Sequence, residues 1–252
     1  MKLLSTGIPV LDEALGGGLL EDSNLLILYS QYSRGWALAF EILRNRMAMG
    51  DVGVILDSVL PLSPLKMELG AINFDIEREG GRGSLAVIDI FSSFYGLKYS
   101  EDFVYTDTSI DVSTFLPKYV RLYRRVLEER IGERRPVGVD VTLDGLTFLL
   151  GKDNFIRVFQ RLMALKEKSR ITEKRKRPIN IFLLNTGRAS EDVISWMILY
   201  SQYVIEFVPL RDSSEEMMFV RASPLPSFDP TRGICRFRLV KGRPELTPVY
   251  QV

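Results

Sequence analysis

Short apolar runs alternate with longer stretches of helical spacing along this chain, and that alternation constrains its fold more than any other feature. Residues 25–29 read as a buried strand, and helical spacing follows over 36–47, carried by Trp36, Phe40, Leu43 and Met47. Residues 52–56 give a second strand ending on Asp57, 65–69 a short helix and 85–90 a third strand. An amphipathic helix is expected over 115–129, with Phe115, Tyr119, Leu122, Tyr123 and Val126 on one face. Next come a strand over 137–143 that ends at Asp144, a helix over 155–166, a strand over 179–184 and a helix over 193–200. From Tyr203 onward the pattern changes to short strands with turns, including 237–240 and a tail at 248–252. This order predicts an α/β fold, a mainly parallel sheet with an antiparallel C-terminal edge. With neither an internal repeat nor a low-complexity linker, residues 1–252 read as one domain.

Composition removes whole classes of chemistry. The chain has no histidine, which excludes imidazole bases, histidine metal ligands and Ser-His or Cys-His nucleophile pairs. A single cysteine, Cys235, can neither close a disulfide within the chain nor build a thiolate metal site, which suits a reducing compartment. The most apolar windows, 25–29 and 196–208, are short or interrupted by Gln202 and Glu206, and no secretory apolar region follows Met1 and Lys2. A cytoplasmic protein with no membrane span is the expectation, and no metal is expected.

The segment STGIPVLDEALGGGL over 5–19 combines a Ser-Thr-Gly-Ile-Pro turn, a Leu-Asp-Glu helix start and three glycines ahead of the first core strand. It resembles the opening signature of the archaeal KaiC/RadA-type branch of the RecA-like ATPases. The resemblance extends over most of the chain. Residues 143–147, LDGLT, resemble the end of that family's Walker B strand and give Asp144 as the Walker B-like acid. Asn185 falls where the family carries a polar sensor residue, and Lys241 and Arg243 fall on a Lys-x-Arg pair that reaches a neighbouring subunit's phosphate. The resemblance implies a RecA-like three-layer sandwich.

The central chemical motif of that family departs here. Residues 29–36, YSQYSRGW, align with the Gly-x-x-x-x-Gly-Lys-Ser/Thr loop, and that motif occurs nowhere in the chain. Such a loop needs glycines so that its N–H groups wrap closely around phosphate, and Lys and Ser/Thr for the phosphates and magnesium. Here Tyr29 and Arg34 replace the two glycines, Tyr32 a further small residue, Gly35 the lysine and Trp36 the hydroxyl. An indole cannot ligate magnesium. Where the family places two glutamates to orient water, the nearest match is Asp57 and Ser58. The expectation is a homologue without ATPase activity and without a cofactor. Weak nucleotide binding remains an alternative, as does a simple anion at the helix start near Ser33 and Arg34.

Two further clusters stand out. Residues 166–177 hold seven Lys/Arg against two acids, within a chain whose net charge is only +1. They read either as a solvated loop or as a nucleic-acid contact through Lys174, Arg175, Lys176 and Arg177. Residues 91–105 hold six aromatics in fifteen positions, against 10% in the whole chain. In open α/β sheets ligands bind beyond the carboxyl ends of strands, so this window is expected to share a mouth with Tyr29, Tyr32 and Trp36. A protein or peptide partner docking at Tyr32, Trp36, Phe94 and Tyr95 is the leading functional reading, because Tyr and Trp dominate interface hot spots. Another RecA-like subunit is one such partner, and a homo-oligomer through Lys241 and Arg243 a further alternative.

Overall fold

The computed structural model describes residues 2–211 and 213–249. A small antiparallel pair, β1 (Leu3–Leu4) and β2 (Leu19–Leu20), brackets α1 (Pro9–Ala14). The chain continues through β3 (Asn24–Tyr29), α2 (Ala37–Ala48), β4 (Val52–Asp57), α3 (Leu62–Gly70) and α4 (Ile76–Gly81). After them come β5 (Leu85–Asp89), α5 (Ile90–Tyr95), β6 (Val104–Tyr105) and α6 (Phe115–Val126), which runs into a π-helical turn at Leu127–Ile131. The second half comprises β7 (Pro136–Asp140), α7 (Leu143–Leu150), α8 (Lys152–Thr172), β8 (Ile179–Asn185) and α9 (Glu191–Leu199). It closes with β9 (Tyr203–Pro209), β10 (Glu216–Ala222), β11 (Ile234–Val240) and β12 (Arg243–Pro248).

Ten of these strands form one sheet in the order β12-β11-β10-β9-β3-β8-β7-β4-β5-β6. All pairings from β9 to β6 are parallel, and β10, β11 and β12 add an antiparallel edge. Each central strand is apolar on both faces because both are covered. In β3, Leu25, Ile27 and Tyr29 enter one core with α1 to α4, whereas Leu26 and Leu28 enter a second core with α6 to α9. Two cores around one sheet make the three-layer sandwich that the alternation predicted.

Several boundaries differ from expectation. The strand expected over 137–143 ends at Asp140, so Asp144 lies in the first turn of α7 rather than at a strand end. Val141 N–H still donates to Leu56 O at 3.0 Å, but the Thr142 carbonyl already accepts from Gly145 and Leu146. A run that is apolar as a buried strand and as a helix start looks the same in sequence. The third strand stops at Asp89, whose carboxylate accepts from Ser92 N at 2.7 Å and caps α5. Helix α8 runs past the expected 166 to Thr172, into the basic run. Arg177 explains the extension, because its guanidinium donates to the carbonyls of Arg170 at 2.7 Å and Glu173 at 2.8 Å and so satisfies orphan acceptors at the helix end. Of the expected tail at 248–252, Pro248 ends β12 and residues 250–252 lie outside the described residues. No helix among the described residues is long and apolar enough to cross a membrane.

Candidate functional site

The resemblance segment at the N terminus is a structural device. The Asp12 carboxylate on α1 accepts from Thr6 N at 2.8 Å, Thr6 Oγ1 at 2.7 Å and Ser5 Oγ at 2.5 Å, folding the Ser-Thr-Gly turn back over the helix. Leu11, Ala14 and Leu15 are thereby sunk into the core. This segment supports the strand β3 that delivers the loop at 30–36.

That loop joins the carboxyl end of β3 to α2, the place where a phosphate cradle forms in nucleotide-binding α/β folds. Its polar groups are taken by a residue from the antiparallel edge. Glu216, the first residue of β10, is buried, and its carboxylate accepts from Arg34 N at 2.5 Å and from the Ser33 hydroxyl. Ser33 Oγ in turn accepts from Gly35 N at 3.0 Å. The simple anion expected near Ser33 and Arg34 therefore has a resident counterpart, a carboxylate of the chain itself. Desolvation raises the Glu216 pKa, and the bonds from Ser33 and Arg34 oppose that rise. Gly35 is needed for contact: a Cβ there would lie 2.2 Å from the Phe207 ring of β9. Trp36 is half-buried and meets Phe40 edge-on at 6.0 Å, whereas Tyr32 is 86% exposed.

Tyr29 is buried beneath the loop, and burial first, then the nearby Asp144 carboxylate, pushes its phenol up to about 12. Asp144 is held on two sides, accepting from Arg188 Nε at 2.5 Å and from Asn185 N at 3.1 Å. Asn185 is itself buried, its side-chain oxygen accepting from Gly187 N at 2.9 Å. Asp144 and Asn185 thus form one network, with the Arg188 guanidinium as the counter-charge of Asp144.

The acid at the true strand end is Asp140. It forms a row with Asp57 and Asp89 at the carboxyl ends of β7, β4 and β5, where Asp57 pairs in register with Asp89 and Leu56 with Asp140. All three are buried, and each has one oxygen without a hydrogen-bond partner among the described residues. Desolvation, with Asp57 and Asp144 adding repulsion, pushes Asp140 up to about 8; desolvation pushes Asp57 up to about 7. Asp57 Oδ1 accepts from Val59 and Leu60 N–H at 3.0 and 3.2 Å, so it orders the following turn, and Ser58 beside it is buried with its hydroxyl 3.4 Å from Thr142 O. Among the described residues no group of three or more Asp, Glu or Cys is arranged to hold a metal ion.

The aromatic window does not share the mouth of Tyr29, Tyr32 and Trp36. Four strand spacings separate β3 from β5, roughly 19 Å at the usual distance between neighbouring strands. Within the window Phe103 and Tyr105 are buried, Phe94 packs on the second core, and Tyr95 projects with 62% exposure, its ring 4.7 Å from that of Phe91.

The basic run occupies the other edge of the sheet, since α8 leads into the amino end of β8. Arg177 caps α8 and Arg175 lies 3.6 Å from Glu173, while Lys174 and Lys176 are exposed and make no ion pair with a described residue. Lys241 and Gly242 turn β11 into β12 with positive φ of 49° and 74°, a two-residue hairpin turn, and Arg243 binds Glu41 of its own chain at 2.8 Å. Glu216, Arg188 and Asp140 were missed in the sequence. Only the first could have been suspected, as the second of two acids, Glu215 and Glu216, that open a largely apolar run.

No protein-family model matches the chain, and no curated protein sequence matches it. Among solved structures it is similar to an uncharacterized protein of Pyrococcus horikoshii in complex with an unknown peptide, with a TM-score of 0.80 and 18% identity over 98% of this chain and 100% of that one. It is also similar to a KaiC-like protein of the hyperthermophilic archaeon Pyrococcus horikoshii, with a TM-score of 0.71 and 17% identity over 98% of this chain and 99% of that one. The chain has the KaiC-like form of the RecA-like α/β fold.

Proposed function

We propose that this chain is a RecA-like ATPase homologue that neither hydrolyses ATP nor uses a nucleotide cofactor, and that it serves as a protein- or peptide-binding regulatory module. The observation that carries the reading is the Glu216 carboxylate on Ser33 and Arg34. Donors at the start of a helix after a core strand are what such folds aim at phosphate, and here they already hold a negative charge. A nucleotide phosphate would have to displace that carboxylate without the help of the motif's Lys and Ser/Thr, which Gly35 and Trp36 replace. Asp144, tied to Arg188, is likewise unavailable to magnesium. Phosphoryl transfer is almost entirely positioning and charge neutralisation, so little catalysis survives such losses. The peptide bound by the Pyrococcus horikoshii neighbour supports a binding role. So does the exposure of Tyr32 and Tyr95, aromatic anchors with few rotatable bonds.

Three measurements test the reading. Magnesium-dependent phosphate release should stay at the buffer blank, and calorimetry should show no micromolar ATP affinity. Release that persists in purified protein and is lost in Asp144→Ala overturns the proposal, as does micromolar binding. Capture of a partner from native cytosol, with nuclease treatment in parallel, should weaken in Tyr32→Ala or Trp36→Ala; an anchor at an interface centre is worth about 2 kcal/mol. Unchanged capture in these and in Tyr95→Ala moves the interaction surface elsewhere.

A further inference from the structure

A cavity of about 430 Å³ lies between α6 and α8, over β7 and β8, on the far side of the sheet from the loop at 30–36. Tyr119 and Tyr123 of α6 and Phe159 and Leu162 of α8 form its walls, with Asp140 and Phe182 in its floor. Its volume falls within the range of small-ligand sites, which are mostly apolar with a few placed polar groups.

Three features point to a ligand. The Tyr119 and Tyr123 hydroxyls make no hydrogen bond with any described residue, although burial drives both phenol pKa values upward. Asp140 Oδ1 is buried and equally unpartnered. Asp140 Oδ1 is the buried atom of the three, whereas the two hydroxyls belong to half-buried tyrosines that line the cavity and can bond a ligand within it. The third feature is the charge of the lining. It holds seven Lys/Arg against Asp22, Asp140 and Glu173, and Arg124, Lys168 and Lys176 pair with no acid among the described residues. Tyr123 faces the Glu173 and Arg175 end, whereas Tyr119 faces Asp140. Pro136 and Asp140, the two ends of β7, both line the cavity, which therefore spans roughly 13 Å along that five-residue strand.

We propose that this cavity binds an amphipathic carboxylic acid, its carboxylate at the Lys168 and Lys176 end beside the Tyr123 hydroxyl and its apolar body running between α6 and α8 along the Phe159 and Leu162 walls. The basic rim supplies the charge complement, and the aromatic and aliphatic walls supply the apolar contact. A simple anion lacks the second, and an uncharged alcohol the first.

The full chain is titrated by calorimetry with decanoate, decanol and acetate at several temperatures. Decanoate should bind with a negative heat-capacity change, the mark of buried apolar surface, and at least tenfold more tightly than decanol or acetate. Reversing the rim in Lys168→Glu with Lys176→Glu, both exposed, should weaken decanoate about tenfold or more and leave decanol unchanged. Filling the cavity with Leu162→Trp should abolish binding, with a thermal melt of the same sample to establish that it folds. No decanoate heat at millimolar concentration overturns the proposal. Equal affinity for decanoate and decanol, or decanoate binding indifferent to the rim reversal, overturns it too. Capture of an apolar peptide at this cavity without decanoate binding also does so, and assigns the cavity to a protein partner. ATP binding at the other face would leave these outcomes unaffected, so this inference and the loss of nucleotide chemistry fail separately.

Discussion

Asp140 shows how one misplaced boundary hides a residue's chemistry. Its pKa of about 8 lies above the ordinary 3.8, so folding favours the protonated acid. Its contribution to stability is fully present below pH 4 and is lost as pH rises through 8; Asp57, raised to about 7, adds in the same direction. Asp140→Asn keeps the shape and removes the titration. It should raise stability at pH 9 by about 2 kcal/mol and by much less at pH 5, and thermal melts across that range with an unchanged slope would disprove the assignment. Gly35 makes the opposite case. A Gly-to-Ala change near a helix start usually helps slightly, yet here the Cβ would lie 2.2 Å from Phe207. Gly35→Ala should therefore cost about 1–3 kcal/mol, read as a lower midpoint in urea, and a neutral or stabilising result would mean that the loop moves freely over β9.

At the scale of elements, strand existence was legible wherever both faces are covered, because β3, β4 and β5 are largely apolar runs between turn signals and β8 is one broken near its start by Asn180. Ends were less legible, since they are set by single side chains acting at a distance in sequence. Arg177 lengthens α8 from beyond its end, and Asp89 stops β5 by capping α5. The departure from the motif at 29–36 can be read in the sequence, but the contact made by that loop cannot: Glu216 comes from β10, 182 residues from Arg34. No local pattern encodes such a pairing. The hairpin of β11 and β12 carries a similar lesson. Arg243, read by resemblance as reaching a neighbour, closes on Glu41 of its own chain and is half-exposed. Arg243→Ala should leave the mass by light scattering unchanged and cost less than about 1 kcal/mol; a change of oligomeric state would restore the intersubunit role.

Over the whole molecule, the loop at 30–36 and the basic run lie at opposite ends of the sheet, the loop at its carboxyl edge and the run at 166–177 at its amino edge. A nucleic acid held by Lys174 and Lys176 would therefore lie away from Tyr32 and Trp36. Single strands bound there should show a slope of about −0.7 per contacted phosphate in log affinity against log salt. Neutralising Lys174, Arg175, Lys176 and Arg177 should abolish binding, and none at low salt removes nucleic acid as a partner. The Glu216 contact has a consequence at this scale as well. A loop whose counter-charge is built into the polypeptide has that charge beside it at every nucleotide concentration, so on the proposed reading a partner docking beside Tyr32 meets a constitutive surface.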